Sequence, residues 1–128
     1  MAKGPIRDYR DLLAWQQAIE LALLCDAICD RLPRHQWHLS SQIRRAANSV
    51  HSNIAEGNGR FSLSDYLRHL SMSNASLREL QSDLHFLSRK NWGDTPTRKA
   101  LNCSYIVAKL LMKLVASLRR ERDEENKK

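Results

Sequence analysis

The sequence predicts an all-α protein, an antiparallel up-down-up-down four-helix bundle. Apolar residues recur at helical spacing in four long segments, and no segment shows the strict alternation of a β-strand. The 128 residues contain 4 glycines and 3 prolines, so few turns are available and the helices should be long. Because the connections are short, consecutive helices are expected to be antiparallel neighbours in a single domain covering residues 1–128.

The first helix is predicted over residues 11–31. Asp8 or Asp11 is expected to cap its N-terminus, and Pro33 should end it. Its apolar residues near helical spacing, which are expected to face the core, are Leu12, Trp15, Ile19, Leu23 and Ile28.

The second helix is predicted over residues 35–56, followed by two glycines that flank Asn58. Gly57 and Gly59 are expected to supply the left-handed backbone geometry that ends it. The predicted core stripe consists of Ile43, Ala46, Ala47, Val50 and Ile54.

The third helix is predicted over residues 64–91, with Ser62 or Ser64 as its N-cap. Its core side is a row of leucines, namely Leu63, Leu67, Leu70, Leu77, Leu84 and Leu87.

The fourth helix is predicted over residues 95–122 from the stretch "GDTPTRK". Gly93 should close the third helix, Thr95 should cap the fourth, and Pro96 should occupy its first helical position. The charged tail "RRERDEENKK" is expected to fray. The predicted core face consists of Leu101, Ala108, Leu111, Val115 and Leu118.

The formal charge of +7 is unevenly placed, and residues 93–128 carry a surplus of four positive charges. Such a surplus is typical of proteins that meet nucleic acid, an anionic membrane surface or an acidic partner. Three cysteines without a disulfide framework, an N-terminus without an apolar region and the absence of a run long enough to span a bilayer predict a soluble cytoplasmic protein with no membrane contact.

No pattern in the sequence indicates catalysis, a metal site, a cofactor or a small-molecule substrate. The Glu-x-x-His repeat of di-iron bundles is missing, as are a nucleophile elbow and a phosphate-binding loop. Cys25 and Cys29 lie one turn apart but have no second ligand pair, so we interpret them as small core residues. A non-enzymatic protein is therefore predicted.

One face of the fourth helix, opposite its core stripe, is basic. It consists of Arg98, Asn102, Tyr105, Lys109, Lys113 and Arg120. The face is either a solvated surface or a positive rail that follows nucleic-acid phosphates, with Tyr105 able to stack on a base. The predicted nucleic-acid-binding residues are Arg98, Tyr105, Lys109, Lys113 and Arg120.

A line of polar residues borders the apolar stripe of the second helix. It consists of Gln42, Arg45, Ser49, Asn53 and Glu56, and Ser76, Glu79 and Asp83 flank the leucines of the third helix in the same way. We interpret the line as a polar packing seam, within the bundle or between subunits, in which Arg45 meets Glu79 or Asp83. If Arg45 is buried there, its removal should cost about 2–4 kcal/mol or dissociate an oligomer.

Trp37 and Phe61 lie near predicted helix ends. Aromatic side chains at such positions either anchor an oligomer interface or cover the ends of the bundle core.

Four stretches resemble the bacterial 23S rRNA-intervening sequence protein family. They are "LLAWQQA" (12–18), "RLP" (31–33), "QIRRAANSVHSNIAEGNGR" (42–60) and "SDYLRHLSMSNASLREL" (64–80). The shared polar positions largely coincide with the polar seam and comprise Gln42, Arg44, Arg45, Ser49, Asn53, Glu56, Gly57, Ser76 and Glu79.

The resemblance implies a closed four-helix bundle that assembles as a ring-like homopentamer and has no established catalytic activity. Relatives include the accessory protein of diversity-generating retroelements, a basic pentamer that binds nucleic acid and a reverse transcriptase. The expected function is therefore a homopentameric bundle that binds RNA or DNA without sequence preference. The alternative is a protein-interaction scaffold without a nucleic-acid role, a partner of a reverse transcriptase or of another acidic protein.

Overall fold

A computed structural model describes residues 8–92 and 94–128, and within these residues the chain forms four long helices and no strand. The helices are α1 (Leu13–Arg31), α2 (Trp37–Asn58), α3 (Leu63–Lys90) and α4 (Thr95–Asn126), and short 3-10 turns precede α1 and α2. Each of α1 and α3 packs against both α2 and α4, which closes the bundle. The predicted all-α four-helix bundle is confirmed.

The core stripe of α2 follows the predicted spacing, that of α4 does so except at the half-buried Ala108, and that of α1 does not. All five predicted core residues of α2 are buried. In α1, Leu23 is 60% exposed, and Trp15 and Ile19 lie at the edge of the core. The α1 face that is buried carries small side chains together with two larger ones, and consists of Ala14, Ala18, Leu21, Cys25, Ile28 and Cys29.

Side chains at or next to the predicted positions cap α3 and α4, whereas the N-cap residues of α1 and α2 make no side-chain hydrogen bond. Asp8 caps the first 3-10 turn and not α1, whose N-cap residue Leu12 offers no side-chain hydrogen bond. Ser62 caps α3, since its Oγ accepts from the Asp65 amide at 3.1 Å. Asp94 caps α4 in place of Thr95. The predicted role of Gly93 lies outside the described residues.

The two glycines after α2 do not adopt left-handed geometry. Gly59 has a φ of −84°, and no glycine in residues 8–92 and 94–128 has a positive φ. Gly57 instead permits a close approach, because a Cβ on it would lie 2.8 Å from His69 Cβ and 3.0 Å from Tyr66 Cδ1. The last turn of α2 and the first turns of α3 therefore pack with almost no space between them.

The charged C-terminal segment continues α4 to Asn126 and does not fray at the predicted position. By length and composition α4 also contains a segment apolar enough to cross a membrane, which corrects the expectation that no such segment exists. A core helix of a soluble bundle passes the same test, and 39% of this segment is buried against the other helices. The apolar character of α4 is therefore weak evidence for a membrane span.

Trp37 and Phe61 both lie outside the core. Phe61 is fully exposed, and Trp37 is largely exposed with its ring stacked on His38 at 3.6 Å between centroids. Neither side chain covers an end of the bundle, so that alternative is wrong.

Candidate functional site

A chain of hydrogen bonds joins α2 to α3 along the predicted polar seam. Ser76 Oγ on α3 donates to Ser49 Oγ on α2 at 2.7 Å. Asn53 Nδ2 donates to both Ser49 Oγ and the Ser49 carbonyl at 3.0 Å. Asn53 is 7% exposed, so these bonds satisfy an amide that would otherwise be costly to bury.

His69 extends the chain towards the α2–α3 connection. Asn53 Oδ1 lies 3.2 Å from His69 Nδ1, and Arg60 Nε donates to His69 Nε2 at 3.0 Å. Because a guanidinium can only donate, Nε2 accepts and the imidazole carries its proton on Nδ1. The imidazole therefore connects the arginine of the turn to the amide of α2.

The other predicted seam residues of α2, Arg45, Gln42 and Glu56, contribute less to the contacts between α2 and α3. Arg45 Nη2 lies 3.4 Å from Glu79 Oε2, but the two side chains are 66% and 49% exposed. A pair exposed to this extent contributes about 0–1 kcal/mol, which replaces the 2–4 kcal/mol expected for a buried arginine. Gln42 and Glu56 are exposed and make no side-chain hydrogen bond within residues 8–92 and 94–128.

Asp83 lies beside this pair, and one of its carboxylate oxygens lacks a hydrogen bond among the described residues. This atom, Oδ2, is buried. Burial raises the pKa of the Asp83 carboxyl and the nearby Glu79 carboxylate raises it further, while Arg45 acts in the opposite direction.

Arg44 forms two ion pairs with α1 that the sequence spacing did not predict. Its Nε donates to Asp26 Oδ1 at 2.8 Å and its Nη2 to Asp30 Oδ1 at 2.7 Å, so it ties α2 to α1. The hydrogen bond to Asp26 raises the pKa of the guanidinium, and the charge of Asp30 acts in the same direction. The one-turn spacing of Asp26 and Asp30 was the signal that could have identified the arginine-binding edge of α1.

All of the predicted nucleic-acid-binding residues are exposed on α4. These residues, which we call the α4 rail, are Arg98, Tyr105, Lys109, Lys113 and Arg120. The hydroxyl of Tyr105 lies 3.0 Å from His85 Nε2 on α3, and Arg98 Nη2 donates to Thr95 Oγ1 at 3.1 Å.

Two exposed arginines of α3, Arg78 and Arg89, lie on the side of the bundle that carries the α4 rail. Gln81 Nε2 donates to Ser104 Oγ at 3.2 Å, which together with the contact between His85 and Tyr105 sets the register of α3 against α4. Arg78 lies two turns before His85 and Arg89 one turn after it, so both share its flank. Sequence reasoning missed them because the flank that faces α4 depends on how the helices pack.

The three cysteines are buried, free thiols. Burial raises the pKa of Cys25 to about 12 and raises the pKa values of Cys29 and Cys103. A thiol that stays protonated is a poor nucleophile and a poor metal ligand. Within the part of the chain that the structure describes, no group of three or more His, Cys, Asp or Glu residues could hold a metal ion.

The fold and these surfaces define a small four-helix bundle with a polar α2–α3 seam and an exposed cationic helix. The model of the 23S rRNA-intervening sequence protein family matches residues 10–115, so the chain belongs to that family. A crystal structure of a protein of unknown function from the S23 ribosomal protein family of Bacteroides thetaiotaomicron has the same fold. The two share a TM-score of 0.73 and 23% identity over 80% of this chain and 98% of that chain. No curated protein matches the chain.

Proposed function

We propose that this protein is a non-enzymatic homo-oligomeric bundle, a pentamer, whose α3–α4 side binds RNA or DNA without sequence preference. One observation supports the binding role most directly. From Thr95 to Arg120, α4 contains no acidic residue, and its cations are exposed. Arg78 and Arg89 of α3 add positive charge on the flank next to the α4 rail.

The dimensions of the α4 rail suit a nucleic-acid backbone. Arg98 and Arg120 are 22 positions apart, which corresponds to about 33 Å of helix. Cations distributed over this length can meet several successive phosphates, and contacts to phosphates carry no sequence information. Such contacts release counterions and give affinity that falls steeply with salt.

Salt titration of binding tests this role. We expect a fluorescently labelled RNA or DNA to bind at low salt, with log affinity falling linearly as log salt rises. The double variant Lys109→Ser/Lys113→Ser should reduce the steepness of that dependence by about 1.4 for a single strand, because each neutralised phosphate accounts for about 0.7 of the slope.

The matched control removes the same two charges elsewhere, as Lys127→Ser/Lys128→Ser, and should leave the slope nearly unchanged. Affinity that does not respond to salt would contradict a phosphate-binding rail. Absence of binding to any nucleic acid at low salt would favour a protein-interaction scaffold.

The oligomer is supported by apolar side chains on a second side of the bundle. Leu13 and Leu23 of α1 are about 60% exposed. Leu23 borders a depression between α1 and α2 whose lining includes Ile19, Ala22 and the Asp26–Arg44 pair. An apolar patch with a polar edge is typical of a subunit interface.

Light scattering during size-exclusion chromatography tests the assembly. We expect a mass of five times the 14.8 kDa chain. Leu23→Ser should lower that mass, whereas Met112→Ser, on the opposite side of the bundle, should not. A wild-type protein that elutes as a monomer at every concentration would contradict the pentamer.

The proposed location is the cytoplasm. Three protonated thiols without disulfide bonds are suited to a reducing compartment.

A further inference from the structure

A depression lies on the outer side of α3 near its C-terminus. Its volume is about 480 Å³, and its lining within the described residues is Ser82, His85, Phe86, Arg89 and Lys90. The polar groups that line it are a hydroxyl, an imidazole, a guanidinium and an ammonium, and none is acidic. The depression is open to solvent, and its charge favours an anion.

Aromatic rings form one wall of the depression and continue onto α4. Phe86 is 53% exposed and Tyr105 is 47% exposed, although both are large apolar groups. His85 lies beside Phe86 in the lining and contacts Tyr105, with ring centroids 6.5 Å apart and an interplanar angle of 47°. The Lys90 ammonium lies 5.7 Å from the Phe86 centroid, so a cation already borders the ring.

The charges around the rings also favour an anionic ligand. Two acidic residues of α3 lie near the face of Phe86, and neither lines the depression. Glu79, two turns away, pairs with Arg45, and Asp83, one turn away, has a buried Oδ2 atom on the side of that pair. Tyr105 belongs to the α4 rail, which leads from the rings towards Lys109. Exposed aromatic rings with cations at their edges suit a ligand in which flat aromatic groups alternate with negatively charged groups.

We propose that the depression is a subsite for an unpaired nucleotide of a single-stranded RNA or DNA. The base stacks on Phe86, and the adjoining phosphate is bound by Arg89 and Lys90. The strand continues across His85 and Tyr105 onto the α4 rail. The inference rests on the proposed nucleic-acid role and adds the class of nucleic acid, because the base faces in a duplex are already stacked and cannot contact a protein ring.

Binding of a labelled oligothymidylate of about 20 nucleotides, compared with a duplex of the same length at the same salt, tests the subsite. The wild-type protein should bind the single strand more tightly. Phe86→Leu keeps an apolar side chain but removes the ring, and it should weaken single-strand binding at least about fivefold. It should leave duplex binding unchanged, and Phe86→Trp should retain single-strand binding.

The matched control is Ile106→Ala, which changes an equally exposed apolar residue that is not aromatic. It should leave both affinities unchanged, and circular dichroism should show all variants folded because the substituted side chains are exposed. Unchanged single-strand affinity in Phe86→Leu, or an equal loss for single strand and duplex, would overturn the subsite but not the proposed function. Failure of the wild-type protein to bind either probe would overturn both.

Discussion

Replacing Gly57 with alanine is expected to destabilise the bundle by about 1–2 kcal/mol. The added Cβ would lie 2.8 Å from His69 Cβ, an atom next to the α3 backbone that cannot swing aside. Overpacking of this kind costs about 1–3 kcal/mol, and the better helix propensity of alanine offsets up to about 1 kcal/mol of it. Gly57→Val should destabilise more, because its branched side chain also meets Tyr66.

Urea unfolding followed by circular dichroism measures this loss, and the chain contains its own control. A Cβ on Gly59 would have no neighbour closer than 3.6 Å, and its φ of −84° is accessible to alanine. Gly59→Ala should therefore change the free energy of unfolding by less than about 0.5 kcal/mol. Equal effects at the two glycines would show that α2 and α3 do not approach each other as closely as described.

Replacing Asn53 with alanine is expected to reduce the free energy of unfolding by about 2–3 kcal/mol. The substitution removes the acceptor of the buried His69 Nδ1–H group and both bonds from Asn53 Nδ2 to Ser49. A buried donor left without a partner costs about 1–3 kcal/mol, in addition to the missing side-chain packing. Chemical denaturation at neutral pH provides the measurement.

Arg45→Ala is the matched control on the same side of α2. Its partner Glu79 is half exposed, so the loss should be below about 1 kcal/mol. Should Arg45→Ala destabilise the protein as much as Asn53→Ala, Arg45 would have to be buried in an assembly, and the Arg45–Glu79 pair would belong to a subunit interface.

The predictability of the core differed between helices for a physical reason. In α2, alanines and branched aliphatic residues recur at helical spacing with polar residues between them. Periodicity therefore identified every apolar core residue of this helix. In α1, apolar residues occur around most of the helix, and the large Leu23 was favoured over the small Ala18 and Cys25. The structure buries the small residues, because they permit close packing against α2 and α4.

The seam was predictable in its centre and not at its ends. Ser49, Asn53 and Ser76 form hydrogen bonds between helices, as their position beside the apolar stripes indicated. The bond from Arg60 to His69 depends on the path of the α2–α3 connection, which no periodicity describes. Gln42 and Glu56 share the spacing of the seam but lie where α2 and α3 leave its flank open to solvent.

By itself, the sequence determined the number of helices, their order and the apolar face of α2, because these follow from local hydrogen bonding and from apolar spacing along the chain. Only the tertiary structure decided which helix flanks meet. These meetings determine the partners of Arg44 and His69 and the contact between His85 and Tyr105. The reason is that the rotation and register of one helix against another depend on the fit of side chains distant in sequence, such as those around Gly57.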